Sequence, residues 1–202
     1  MFVVTADQQG STRRGDRVAH LLAETEAWRA VEGPTFVLPL ERTVGDEVQT
    51  VLADAPSALA LVLWLHRTGG WSVGVGTGAV TQLAESARAS SGPAFVHART
   101  AVERARSRAV PVPVVVAGPG AAAAEHATAL LQMLAAVVRR RSRAGWEAVD
   151  LVARGMRQSE VAAHLGISDQ AVSQRLAAAL HEEEVALHPL AHELLDAAGQ
   201  EE

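Results

Sequence analysis

The chain has 202 residues, 49% of them hydrophobic, with a formal net charge of −5 and no cysteine. That length holds one medium domain and a small one, and the apolar content is enough for real cores. The missing cysteines exclude disulfides and thiolate metal sites, and the acidic balance argues against a protein that coats nucleic acid indiscriminately.

All 18 basic residues are arginine. Met1-Phe2-Val3-Val4 lacks the charged start of a secretory leader. No apolar run reaches membrane-spanning length without Pro, Gly or charge. A cytoplasmic protein with no membrane partner is therefore expected.

In chain order, Phe2 to Ala6 is a short apolar run ending at Asp7, and it reads as a first strand. Asp7 to Thr12 is polar loop; Ser11-Thr12 followed by Arg13-Arg14 has the residues to hold a phosphate, with a plain loop as the default. Asp16 to Val31 carries Val18, Leu21, Leu22, Thr25 and Trp28 at helical spacing, and Gly33-Pro34 stops it. Thr35 to Leu40 and Val48 to Leu52 read as strands joined by a hairpin at Val44-Gly45-Asp46-Glu47. Pro56 to Arg67 is a helix with Leu59, Val62 and Leu63 on its apolar face, broken at Gly69-Gly70. Trp71 to Val80 is a glycine-rich strand, and Pro93 to Arg108 a third helix. Val110 to Ala117 is a last strand whose two early prolines suggest an edge. Gly74-Val75-Gly76-Thr77-Gly78 lacks the helix that should directly follow a dinucleotide loop, so close backbone approach is the expected reason for its glycines.

This order, βαββαβ with one added strand, predicts an α+β fold with a ferredoxin-like sheet over residues 1–119. Residues 120–143 form a connecting helix. Within it Ala127, Leu130, Leu134 and Val137 make a heptad-like seam. The seam suits either a homodimer or the chain's own sheet. Residues 144–202 follow as a small all-α unit.

The stretch Gln158 to Ala177 organises that unit. Ala162 is small enough for a second helix to cross over it. Gly166 stands where a tight turn needs positive φ. Ser168 is placed as an N-cap. Val161, Leu165, Ile167, Val172 and Leu176 fall where two crossing helices bury them. This order resembles the DNA-binding helix-turn-helix of repressors and of response-regulator output domains. The resemblance implies double-stranded DNA as partner. The second helix, Asp169 to about Ala179, would then present Asp169, Gln170, Ser173 and Gln174 to a major groove. Ser168 and the helix start would hold a phosphate. Arg154, Arg157 and Arg175 are the nearest cations for backbone contacts. Charge placement agrees: Arg139 to His181 carries 7 Arg against 4 acids, whereas Glu182 onward carries 7 acids and no Arg. Leu180 to Ala198 adds one or two helices with Leu187, Leu190 and Leu194 on one face, closing the small unit or extending a dimer contact.

In the first domain, Asp7 ends the first strand and Asp46 sits on the hairpin. The expected sheet brings their carboxylates together at one end, where Mg²⁺ or Mn²⁺ with a nucleotide's phosphates would suit them. Glu47 offers a third oxygen. Taken in order, Asp7, the VGDE hairpin, the strand Ser72 to Gly78 and the helix start Gly92 to Arg99 resemble SatD-like proteins. Those in turn are similar to the palm domain of class III nucleotidyl cyclases. The likeness covers roughly Phe2 to Val116. It implies that Asp7 and Asp46 bind metal and that Arg99 faces the phosphates. Arg42 stands near where cyclases carry a base-recognising lysine, and His97 where the SatD-like pattern has asparagine. Both departures point away from cyclisation and leave binding of a nucleotide, or of nothing, open. His188 and His192, four apart near Glu184, are expected to be solvated rather than a metal pair.

The sequence thus reads as a DNA-binding transcription regulator with a cyclase-like sensor or dimerisation domain. The rival is a metal-dependent nucleotidyl cyclase or transferase with an accessory DNA-binding domain. A third reading makes the first domain a structural dimer platform.

Overall fold

The first strand, β1 (Phe2–Gln8), is buried along its whole length, as a strand must be when helices cover both faces of its sheet. The computed structural model describes residues 1–11 and 15–201; the Thr12-Arg13-Arg14 part of the loop considered for phosphate lies outside the described residues. After β1 come α1 (Val18–Glu32), β2 (Phe36–Arg42), β3 (Glu47–Leu52), α2 (Ala55–Thr68), β4 (Trp71–Thr77), α3 (Pro93–Ala105) and β5 (Val114–Ala117). The strands form one sheet in the order β2-β3-β1-β4-β5. Only β4 and β5 run parallel; the other neighbours are antiparallel. The fold is α+β with a five-stranded mixed sheet.

Alternation along β1 sorts the two layers. Phe2, Val4 and Ala6 join the main core with residues of α1, α2 and a long helix α4 (Ala121–Arg140). Val3 faces the other way, into a smaller core with Ala94 and Ala98 of α3. On that second face Gly74 and Gly76 let α3 lie directly on β4. A Cβ on Gly74 would stand 2.3 Å from the Val102 nitrogen, and one on Gly76 would stand 2.1 Å from the Ala94 oxygen. Close approach, as expected, is what these glycines provide.

The expected element boundaries move slightly. The third helix stops at Ala105 instead of Arg108, and the last strand starts at Val114 instead of Val110. Pro111 and Pro113 lack the N–H that ladder pairing needs, and β5 lies at the sheet edge.

Ala127 and Leu134 of the expected seam are fully buried within this chain, with Ala124, Leu131, Ala135 and Val138 beside them. They pack on α2, β5 and a C-terminal helix α9 (His188–Ala198). These two seam positions are therefore taken within the chain, while Leu130 and Val137 are half-buried. Among the described residues α4 is also the one helix long and apolar enough to cross a membrane, with a mean hydropathy of 1.4. Its apolar stripe is accounted for by this packing.

A second core lies in α5 (Arg143–Ala153), α6 (Gln158–Leu165) and α7 (Asp169–Ala178), from Ala148, Val149, Val161, Ala162, Val172 and Leu176 among others. Leu180, at φ 50° and ψ 42°, then turns the chain into α8 (His181–Ala186). The last helix does not close this unit, as one expectation had it. In α9, Ala191, Leu195 and Ala198 return to the main core.

The two cores are tied by arginines. Arg141, its side chain 1% exposed, donates to the Ala179 carbonyl from Nε (3.1 Å) and Nη2 (3.0 Å) and lies 3.3 Å from Glu184. A guanidinium at the carbonyl end of α7 also meets the negative end of that helix. Arg67 of α2 reaches Asp150 of α5 through two bonds, of 2.6 and 2.7 Å.

Candidate functional site

Register builds the site at one end of the sheet. Asp7 stands opposite Glu47 on β3 and opposite Ser72 on β4. Directly opposed residues share a face, so all three lie on the α3 side. The hairpin then brings Asp46 alongside, its carbonyl accepting the Gln8 backbone N–H at 3.2 Å. A polar hollow of about 450 Å³ opens there, lined by Asp7, Asp46, Ser72, Arg106, Arg108 and Arg139 among others.

Asp7 is largely buried, and Arg106 stands 3.3 Å from its Oδ1. Burial raises the Asp7 carboxyl above its ordinary range; Arg106 opposes this, and the neighbouring Asp46 and Glu47 add to it. Arg99 acts on the same cluster from a distance while pairing with Glu103 at 3.0 Å. Its guanidinium is held in the charged form by that bond first and by Glu47 second.

Asp7, Asp46 and Glu47 thus converge, with Arg99 nearby. The direct counterion is Arg106, which the sequence reading missed. Its signal was present, because Arg106, the C-cap just past α3, follows Arg99 by seven residues and so falls on the same side of that helix. Arg42 is held elsewhere: its Nη2 donates to both carboxylate oxygens of Asp16 (2.9 and 2.7 Å) and its Nη1 donates to the Gly45 carbonyl at 2.6 Å. The Thr43 hydroxyl donates to Glu47 at 2.6 Å. His97 is not part of the cluster. Its Nδ1 donates to the Thr77 carbonyl at 2.8 Å. Thr77 lies five strand residues from Ser72, about 17 Å along β4.

The carboxylates are hard oxygen donors of the kind Mg²⁺ and Mn²⁺ take. Among the described residues, however, no group of three or more His, Cys, Asp and Glu is arranged to hold a metal ion. Arg106 already supplies positive charge at Asp7. His188 bonds Glu184 at 2.6 Å, and its ring lies 6.3 Å from that of His192. Burial lowers the His192 pKa first, followed by the charge of His188.

The second grouping is on α6 and α7. Gly166 adopts φ 66° and ψ 35° and ends α6, a left-handed turn that a Cβ would strain. The Ser168 hydroxyl accepts the Ala171 N–H at 3.2 Å and starts α7. Val161, Ala162, Val172 and Leu176 are buried between the helices. Ser168, Asp169, Gln170, Ser173 and Gln174 are all exposed. Arg157 is exposed and pairs with Glu160 at 3.0 Å; Arg175 is half-buried and reaches Glu147 at 3.3 Å. No protein-family model, no curated protein and no solved structure matches this chain.

Proposed function

We propose that the protein is a DNA-binding transcription regulator whose α6–turn–α7 is a helix-turn-helix. The observation that carries this reading is the geometry around Gly166 and Ser168, with Gln170, Ser173 and Gln174 exposed on one side of α7. An α-helix fits the major groove, and glutamine pairs bidentately with adenine there. Arg157 and Arg143, both exposed, would then meet phosphates. The first domain is read as a ferredoxin-like palm, which its strand order supports, acting as sensor or dimerisation domain. A homodimer would seat two recognition helices on half-sites about 34 Å apart. Leu187 and Leu190, exposed at the start of α9, are its candidate contact.

Selection of bound fragments from a genomic library tests this. One enriched site is expected. Gln170→Ala with Gln174→Ala should lose discrimination, at ~1–3 kcal/mol per base contact. Arg157→Ala should weaken all sequences alike and reduce the salt dependence. No enriched site on the intact chain would overturn the reading.

A second reading, a nucleotide with Mg²⁺ or Mn²⁺ at Asp7 and Asp46, is supported by the raised Asp7 carboxyl and its acidic neighbours. Arg106 as a built-in counterion favours a degenerate site. Calorimetry with ATP or GTP and Mn²⁺ separates them: heat that Asp46→Asn abolishes supports the ligand site, and no heat in either protein removes it.

A further inference from the structure

A cleft of about 690 Å³ opens where the two cores meet, well within the range of small-molecule sites. Its walls come from α1, α2, α4, α5, α8 and the start of α9. Aromatic residues are scarce in this chain: four Trp, three Phe and no Tyr. Three of the four tryptophans, Trp28, Trp64 and Trp146, line this one cleft. The fourth, Trp71, is 1% exposed in the main core. The three in the cleft are only half-buried. Trp28 and Trp64, from different helices, lie parallel with an interplanar angle of 1° and centroids 5.1 Å apart. Trp146 is already covered by guanidinium groups, Arg67 at 3.9 Å and Arg141 at 4.4 Å.

The polar lining indicates the charge of an occupant. Asp150 is taken by Arg67, and Glu184 by Arg141 and His188. Glu24, at the rim, faces His20 at 3.3 Å. A cation entering the cleft finds each carboxylate already facing a basic group. Arg154 lines the cleft too and is exposed. Among the described residues it has no carboxylate partner within ion-pair distance. The His181 Nδ1 makes no hydrogen bond there and faces the Glu184 carboxylate at 4.0 Å. A neutral ring would leave Arg154 as it is; an anionic group satisfies it.

We infer that this cleft binds a planar aromatic carboxylate, its ring among Trp28, Trp64 and Trp146 and its carboxylate held by Arg154. Stacking on indole faces favours flat rings, and a carboxylate on a guanidinium makes charge-assisted bonds stronger than neutral ones. The site is distinct from both groupings described above, and the inference stands whether or not α7 reads DNA.

The test uses two probes with one ring and opposite charge, indole-3-acetate and tryptamine, titrated calorimetrically into the full chain. Indole-3-acetate is expected to bind saturably at one site per chain and more tightly than tryptamine. Arg154→Gln changes an exposed side chain with no ion-pair partner, so the fold is retained. It should weaken indole-3-acetate by about tenfold while leaving tryptamine unchanged. Trp64→Leu should weaken both. The inference is overturned if the wild type takes up no indole-3-acetate at millimolar concentration, if tryptamine binds as tightly, or if Arg154→Gln binds the acid like the wild type.

Discussion

His66 on α2 is 3% exposed, its Nε2 has no hydrogen-bond partner, and burial, with help from Arg139, lowers its pKa to about 4. In the unfolded chain it titrates near 6.5. The folded state therefore prefers the neutral ring. Its contribution is fully present above pH 6.5 and is lost as pH falls toward 4, by about 3 kcal/mol in all. Glu184 acts in the same direction: burial would raise its pKa, but the His188 bond and Arg141 hold it below the usual carboxylate range. Its stabilisation is present at neutral pH and is lost in acid. Urea midpoints should accordingly fall between pH 7 and pH 4.5, and His66→Leu should flatten that fall. An equal slope in the variant would assign acid sensitivity elsewhere. None of this was visible in the sequence, where His66 is one of the chain's 8 histidines and the one on its helix; burial is a property of the neighbours.

At the scale of elements, the β4–α3 pair is the sharpest case. Gly74→Ala places a methyl carbon 2.3 Å from the Val102 nitrogen and 2.6 Å from the Ala98 oxygen. Both are backbone atoms of a helix that cannot yield locally. Overpacking of this kind costs ~1–3 kcal/mol or more, and a lower urea midpoint should report it. Loss of α3 contact also moves Arg106 from Asp7, so the Asp7 carboxyl should titrate differently in the same variant. At the α6–α7 turn the requirements are local: Ser168→Ala should cost about 1 kcal/mol. Those elements were legible in the sequence because turn and cap chemistry act over a few residues. Strand ends were less so, since they depend on where a neighbour's ladder stops.

Across the whole molecule, Arg141 joins α4, α7 and α8. Arg141→Met would leave Glu184 buried with only His188 and, at 4.0 Å, His181 beside it, and the Ala179 carbonyl without its donors. Breaking a buried pair from one side costs roughly 3–5 kcal/mol. The expected result is a destabilised second core: faster amide exchange in α5–α7 with α2 and the sheet still protected. Uniform loss of protection would mean that the two cores unfold together. The same connection gives the tryptophan cleft its walls, because α5 is held against α2 by Arg67 and Asp150.

The order of strands and helices, the edge position of β5, the close-approach role of the glycine strand and the capped turn at Gly166–Ser168 were all determined by the sequence alone. Each rests on periodicity or backbone chemistry spanning a few residues. The convergence of Asp7 with Asp46 and Glu47 followed from strand order. Partner choice was decided only by the tertiary structure. Arg106 rather than Arg42 or Arg99 pairs directly with Asp7; Leu134 packs within the chain; α9 returns to the main core; and three distant tryptophans meet. A hydrophobic period says which face of a helix is apolar, but not what covers it. Arg42 bonds Asp16, 26 residues away, and not Asp7 or Asp46. Such outcomes depend on contacts between segments 20 to more than 100 residues apart, whose geometry exists only once the chain has packed.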